Sequence, residues 1–94
     1  MSDYNIIIAE RGWVYIGKTR REGDQIVIED CFNIRRWGTT KGLGELAMNG
    51  PTSDSVIDYY GVVRVHVLAI AGGSIDANDE VWRAWIAKSI RRKP

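Results

Sequence analysis

The sequence predicts an α+β domain that is mostly β. The expected architecture is a small, strongly bent antiparallel sheet or SH3/Sm-like barrel of about five strands. A short helix is expected at about residues 41–49 and a C-terminal helix at about 78–91. Three observations predict this. Short β-branched or alternating segments separated by turn signals fill most of the first 37 residues. Helical spacing appears only twice, late in the chain. Ninety-four residues make one domain, 1–94, too short for a second core.

Each element has its own signal. "YNIIIA" is β-branched and reads as a strand at about residues 4–9. "RG" at 11–12 marks a turn. In "WVYIGKT", Trp13, Tyr15 and Gly17 share one face and Val14, Ile16 and Lys18 the other. "RREGD" at 20–24 reads as a charged hairpin tip, with Gly23 free to take positive φ. "QIVIED" is the return strand. "CFNIRRW" is a further extended segment, with Phe32, Ile34 and Arg36 on one side and Arg35 and Trp37 on the other.

The period then changes. "KGLGELAMNG" spaces Leu43, Leu46 and Ala47 as a helix, which Thr39 or Thr40 caps and Asn49-Gly50-Pro51 stops. A helix of about two turns needs tertiary contacts to stand. "TSDS" is loop, "VVRVHVLAI" at 62–70 is a strand, and "AGGS" breaks it. Asp76 or Asn78 caps the last helix. Asp79 and Glu80 sit in its first turn and Lys88, Arg91, Arg92 and Lys93 near its end, as the helix dipole favours. Val81, Trp82, Trp85, Ile86 and Ile90 form its apolar stripe.

The totals exclude several classes. A formal net charge of +1 gives no broad electropositive field, so nucleic acid is not an expected partner. A third reading, an RNA-binding Sm-like ring, needs a continuous basic and aromatic rim. Interleaved acidic residues argue against it. The polar, acidic "MSDYN" start does not read as a signal peptide. The longest apolar stretch, Val65 to Ala71, is too short to cross a bilayer. One cysteine, Cys31, leaves no intrachain disulfide and fits a reducing cytoplasm.

Catalytic constellations are missing. His66 is the only histidine, and nothing in the spacing places it beside Cys31 as a nucleophile pair. One Cys and one His are half a zinc site. "GTTKGLGE" lacks the phosphate-loop order, since Lys41 precedes the glycines. Asp24, Glu29 and Asp30 read as solvated hairpin carboxylates. No catalytic residue, metal or cofactor is therefore expected.

Two binding regions are expected instead. In the stretch Ile34–Pro51, Arg35 and Arg36 offer guanidinium forks, Trp37 a stacking face, and Thr39, Thr40 and Lys41 an anion-cradling turn at a helix start. The bland reading of the same stretch is strand end, turn and cap. Four tryptophans are many for this length. Trp13 with Tyr15 and Trp82 with Trp85 read either as core or as a seam between copies, where Trp and Tyr are enriched. The basic tail "RRKP" reads as a helix end.

"IEDCFNIRRWGTTKGLGELAMNGP", then "VRVHVLAI" and a final "AKSI", resembles a family of short proteins encoded mostly by tailed phages and prophages. That family shows a Trp-containing strand, a small-residue turn and a Leu-x-x-Leu-Ala-x-x-Gly segment, here Leu43, Leu46, Ala47 and Gly50. The resemblance spans about residues 12–90 and departs at Trp82 and Trp85. It carries no assigned activity, and implies a phage origin with an accessory or virion role. The expectation is a non-enzymatic accessory protein of the bacterial host cytoplasm or the virion, acting by binding as a homo-oligomer. It could counter host defence by sequestering a nucleotide signal or blocking a host protein. The alternative is a virion structural protein working through subunit contacts.

Overall fold

The computed structural model describes residues 3–91. The elements run β1 (Tyr4–Ile8), a 3-10 turn (Glu10–Gly12), β2 (Val14–Glu22), β3 (Gln25–Arg36), α1 (Leu43–Asn49), β4 (Val56–His66), a second 3-10 turn (Val67–Ala69), β5 (Gly73–Asp76) and α2 (Asp79–Arg91). All strands pair antiparallel in one sheet of order β4-β3-β2-β1-β5. The α+β, mostly β reading holds, with both helices near their expected places. The sheet does not close into a barrel. After β4 the chain crosses to the opposite edge and pairs with β1, which leaves β4 and β5 as two separate edges. The crossing is tied down by the Val67 amide on the Asp24 carbonyl (2.8 Å) and the Gly72 amide on the Ile8 carbonyl (3.0 Å).

The strand count agrees with expectation, but the strands are different ones. Residues 25–36 form a single strand rather than two. The charged tip is narrower than 20–24, because Glu22 pairs with Gln25 and only Gly23 and Asp24 turn. β4 begins at Val56 and ends at His66, where the ring Nδ1 accepts the Leu68 amide (3.1 Å) and the chain turns. "AGGS" is no break, since Gly73 and Ser74 open β5 by pairing with Ile8 and Ile7. Tertiary pairing here outweighs weak local propensity.

The sheet buries both faces. On one, α1 and α2 cover a core built on Ile6, Ile16, Phe32, Leu46, Trp82 and Ile86. On the other lies a smaller cluster of Ile7, Ala9, Ile28, Cys31 and Val65, roofed in part by Ala69 and Ile70 from the crossing. A bulge makes the second cluster. Between Ile16 and Lys18 of β2, the facing strand carries one residue more. Asp30 absorbs it at φ 51, a left-handed conformation that Asp tolerates better than most residues. Ile28 and Cys31, three apart, therefore face the same side. Gly17 sits against the bulge. A Cβ there would stand 2.6 Å from Ile28 Cγ2 and 2.8 Å from the Glu29 carbonyl oxygen.

α2 is pinned at its start. Asn78 is the cap, its side-chain oxygen taking the Val81 amide (3.3 Å). Asp76 lies instead on β5. The Asp79 carboxylate accepts the Tyr4 amide (2.9 Å) and the Asp3 amide (3.2 Å), and Arg83 lies over the Tyr4 ring, 5.7 Å from its centroid. Residues Arg92 and Lys93 of the basic tail lie outside the described residues.

Two outcomes follow. Gly17→Ala forces the bulge apart and should cost about 1–3 kcal/mol in chemical denaturation, as overpacking does; an unchanged midpoint would deny the close approach. The Tyr4 amide above all, then the Asp3 amide, hold the Asp79 carboxyl below its ordinary range. A depressed carboxyl adds stability that is present above its unfolded pKa of about 3.9 and lost as pH falls through the folded value. From about pH 6 down to about pH 3 the wild type should lose more melting temperature than Asp79→Ala. Parallel acid slopes would deny the clasp its charge.

Candidate functional site

The Ile34–Pro51 stretch is largely consumed by its own structure. Arg35 is ion-paired with Asp58 of β4. The Trp37 carbonyl accepts the Ser55 hydroxyl (2.6 Å), and the Gly38 carbonyl accepts the Thr52 hydroxyl (2.6 Å). Gly38, at φ 66, leaves no room for a side chain, because a Cβ would meet the Asp54 carbonyl carbon at 2.4 Å. The threonines donate rather than cap: Thr39 to the Gly42 carbonyl (2.8 Å), Thr40 to the Glu45 carboxylate (3.1 Å). The same carboxylate takes the Lys41 amide (3.1 Å). A carboxylate from within the helix thus occupies the place where an incoming anion would bind. Arg36, Lys41 and the Trp37 ring remain at the surface.

The aromatic residues divide sharply. Trp82 is fully buried, with its indole N–H on the Ala47 carbonyl (3.0 Å). Trp85 packs edge-on against Trp82 (5.6 Å between centroids) and Phe32 (4.9 Å). Trp82 is a core residue and Trp85, partly buried, packs against the same core. Trp13 and Tyr15 behave differently. Their rings stack at 6.2 Å and 9°, and Tyr60 of β4 closes the group at 6.5 Å from Trp13 and 6.4 Å from Tyr15. Trp13 is 46% exposed and Tyr60 47%. Partial burial, with Cys31 and Tyr60 nearby, raises the Tyr15 pKa. An open cleft of about 330 Å³ beside them is lined by Ala9, Arg11, Trp13, Tyr15, Val63 and Val65, among others. Arg11 there holds a φ of 60.

Tyr60 was not legible as part of this group. Its doublet with Tyr59 belongs to the segment that the sequence left outside any strand. Only the pairing of Phe32 with Tyr59 sends the two rings to opposite faces: Tyr59 to the helix-covered core, Tyr60 to the aromatic corner.

A second cleft, of about 530 Å³, lies on the side of the sheet away from the helices. Its wall residues include Asn5, Thr19, Arg21, Ser74 and Asp76. The strand "YNIII" carries its signal: Asn5 is a lone polar residue among β-branched ones and is 8% exposed, with its amide nitrogen on the Thr19 hydroxyl (2.7 Å). Buried polar groups are the informative exceptions.

The reactive side chains stand apart. Cys31 is buried and its thiol is pushed up to about 12, too high for a nucleophile at neutral pH. His66 pairs with Gln25, six residues from Cys31 along β3. Among the described residues, no group of three or more His, Cys, Asp or Glu could hold a metal ion, and no helix is long and apolar enough to cross a membrane.

The four indoles give a direct check. Iodide should quench Trp13 and Trp37 and spare Trp82. The Trp13→Phe, Trp37→Phe double variant should lose nearly all iodide-sensitive emission. Strong quenching that survives it would place another indole at the surface.

Compared with protein-family models, curated proteins and solved structures, the chain matches none.

Proposed function

We propose that the chain is a non-enzymatic binding protein of the phage accessory kind, acting in the host cytoplasm, and that its working face is the Trp13–Tyr15–Tyr60 corner. One observation carries this reading. Three aromatic rings pack against one another and two of them, Trp13 and Tyr60, stay open to solvent, although the fold has a core that takes up other aromatics. Tyr and Trp bring large, rigid contact area at low entropic cost, and such clusters anchor protein interfaces. The partner is a protein: a host protein that the binding blocks, or a second copy. The nucleotide form of the reading, with its ligand on Arg35 to Lys41, has less support. Asp58 already engages Arg35, and Glu45 already fills the turn.

A virion structural role is the second reading. It is favoured by the outer edge of β4, which no strand covers among the described residues, and by exposed Val62 on that strand. Unpaired edges are templates for another chain.

Native mass spectrometry of protein purified gently from its host tests the first reading. The wild type should carry a protein partner or a second copy that Trp13→Ala, Tyr60→Ala lacks, with the melting temperature of the variant nearly unchanged. Identical mass distributions would remove the corner from consideration. Stoichiometric presence in purified particles would favour the second reading.

A further inference from the structure

We propose that the cleft on the face of the sheet away from the helices binds a short peptide with free amino and carboxyl ends. The strand register aims its side chains. Asn5 pairs with Asp76 and Ile7 with Ser74, so these four stand on one face, and Thr19 joins them through its hydrogen bond to Asn5. Arg21, two residues beyond Thr19 on β2, points the same way. Ile7 and Ile26 supply an apolar floor.

The polar groups fall into two kinds. Asn5 and Thr19 hold each other and act as scaffold. The Ser74 hydroxyl, the Asp76 carboxylate and the terminal nitrogens of Arg21 make no side-chain hydrogen bond among the described residues, where Arg21 uses only its Nε, on the Gly23 carbonyl (2.9 Å). Arg20 also lines the cleft but is paired with Glu22 and Glu29. Asp3 adds a second carboxylate near Asp76. The cleft is therefore acidic at the β5 end and basic at the β2 end. Such a pattern suits an ammonium at one end and a carboxylate at the other, and it disfavours phosphates, which Asp3 and Asp76 would repel.

Geometry sets the length. Asp76 faces Asn5, Asn5 faces Gly17, and Arg21 lies four residues beyond Gly17. Two strand spacings of about 4.8 Å and four rises of about 3.3 Å put the two Cα atoms about 16 Å apart. Both side chains line the cleft between those ends, and an extended peptide of about three to five residues matches that span. A single amino acid is too short to touch both ends. The volume of about 530 Å³ lies within the usual range for small-ligand sites.

The test is an amide-resolved NMR titration with the peptide Ala-Leu-Ala. Free Ala-Leu-Ala should give saturable shifts at Asn5, Thr19, Ser74 and Asp76, with half-saturation at or below about 5 mM. N-acetylation or C-amidation should each weaken it about tenfold. Asp76→Asn should abolish the effect of acetylation, and Arg21→Gln that of amidation; both side chains are exposed, so both variants should stay folded. Three results would overturn the proposal: no saturable shift, equal binding of the doubly blocked peptide, or shifts confined to the Trp13–Tyr60 corner.

Discussion

The carbonyl of Ala47 is the point on which the helical layer depends. It accepts two donors, the Trp82 indole (3.0 Å) and the Asn78 amide (2.9 Å). Ala47 belongs to α1, a helix of seven residues that cannot hold itself in water. Asn78 and Trp82 belong to the cap and first turn of α2. One acceptor thus joins the end of one helix to the start of the other. An indole buries 150–250 Å², about 4–6 kcal/mol of transfer free energy at 25 cal/mol per Å². The hydrogen bond lets Trp82 spend that area without stranding its N–H in the core. Trp85 and Phe32 then extend the packing to Tyr59, so the same anchor reaches the edge strand β4.

The sheet has its own constraint, one residue wide. Asp30 takes up an extra position, and Gly17 makes room for it. Without the bulge, Cys31 would turn away from the side that holds Ile28. With it, the strands bend and bury apolar residues on both faces. The face away from the helices carries polar residues toward β5 and an aromatic corner toward β4. Both candidate sites are assembled by strand pairing rather than by a motif.

Much of the frame was legible in the residues. β-branched residues marked β1, alternation marked β2 and part of β3, the helical spacing of Leu43, Leu46 and Ala47 marked α1, and Asp79 and Glu80 marked the first turn of α2, with its cap left between Asp76 and Asn78. β5 was hidden because Gly73-Ser74-Ile75-Asp76 has no strand propensity; the β1 edge makes it a strand. The start of β4 was hidden because Gly61 reads as a break, whereas at φ 84 it lies within an irregular pairing. The sites were harder still. Trp13 and Trp82 are the same residue type, and only the packing of α2 decides that one is buried and the other is not. The Arg35–Lys41 turn looked rich in free donors because Glu45 and Asp58, which consume them, lie up to 23 residues away along the chain.

The lone thiol of Cys31 has a consequence for the setting in which the fold persists. Thiol exchange and metal capture both proceed through the thiolate, and burial holds this sulfur protonated well above neutral pH. Oxidants and disulfides in solution reach no sulfur anion on it. Among the described residues there is no second cysteine to pair with it. The fold therefore owes none of its cohesion to a disulfide, and its one sulfur is held in the form least ready to exchange.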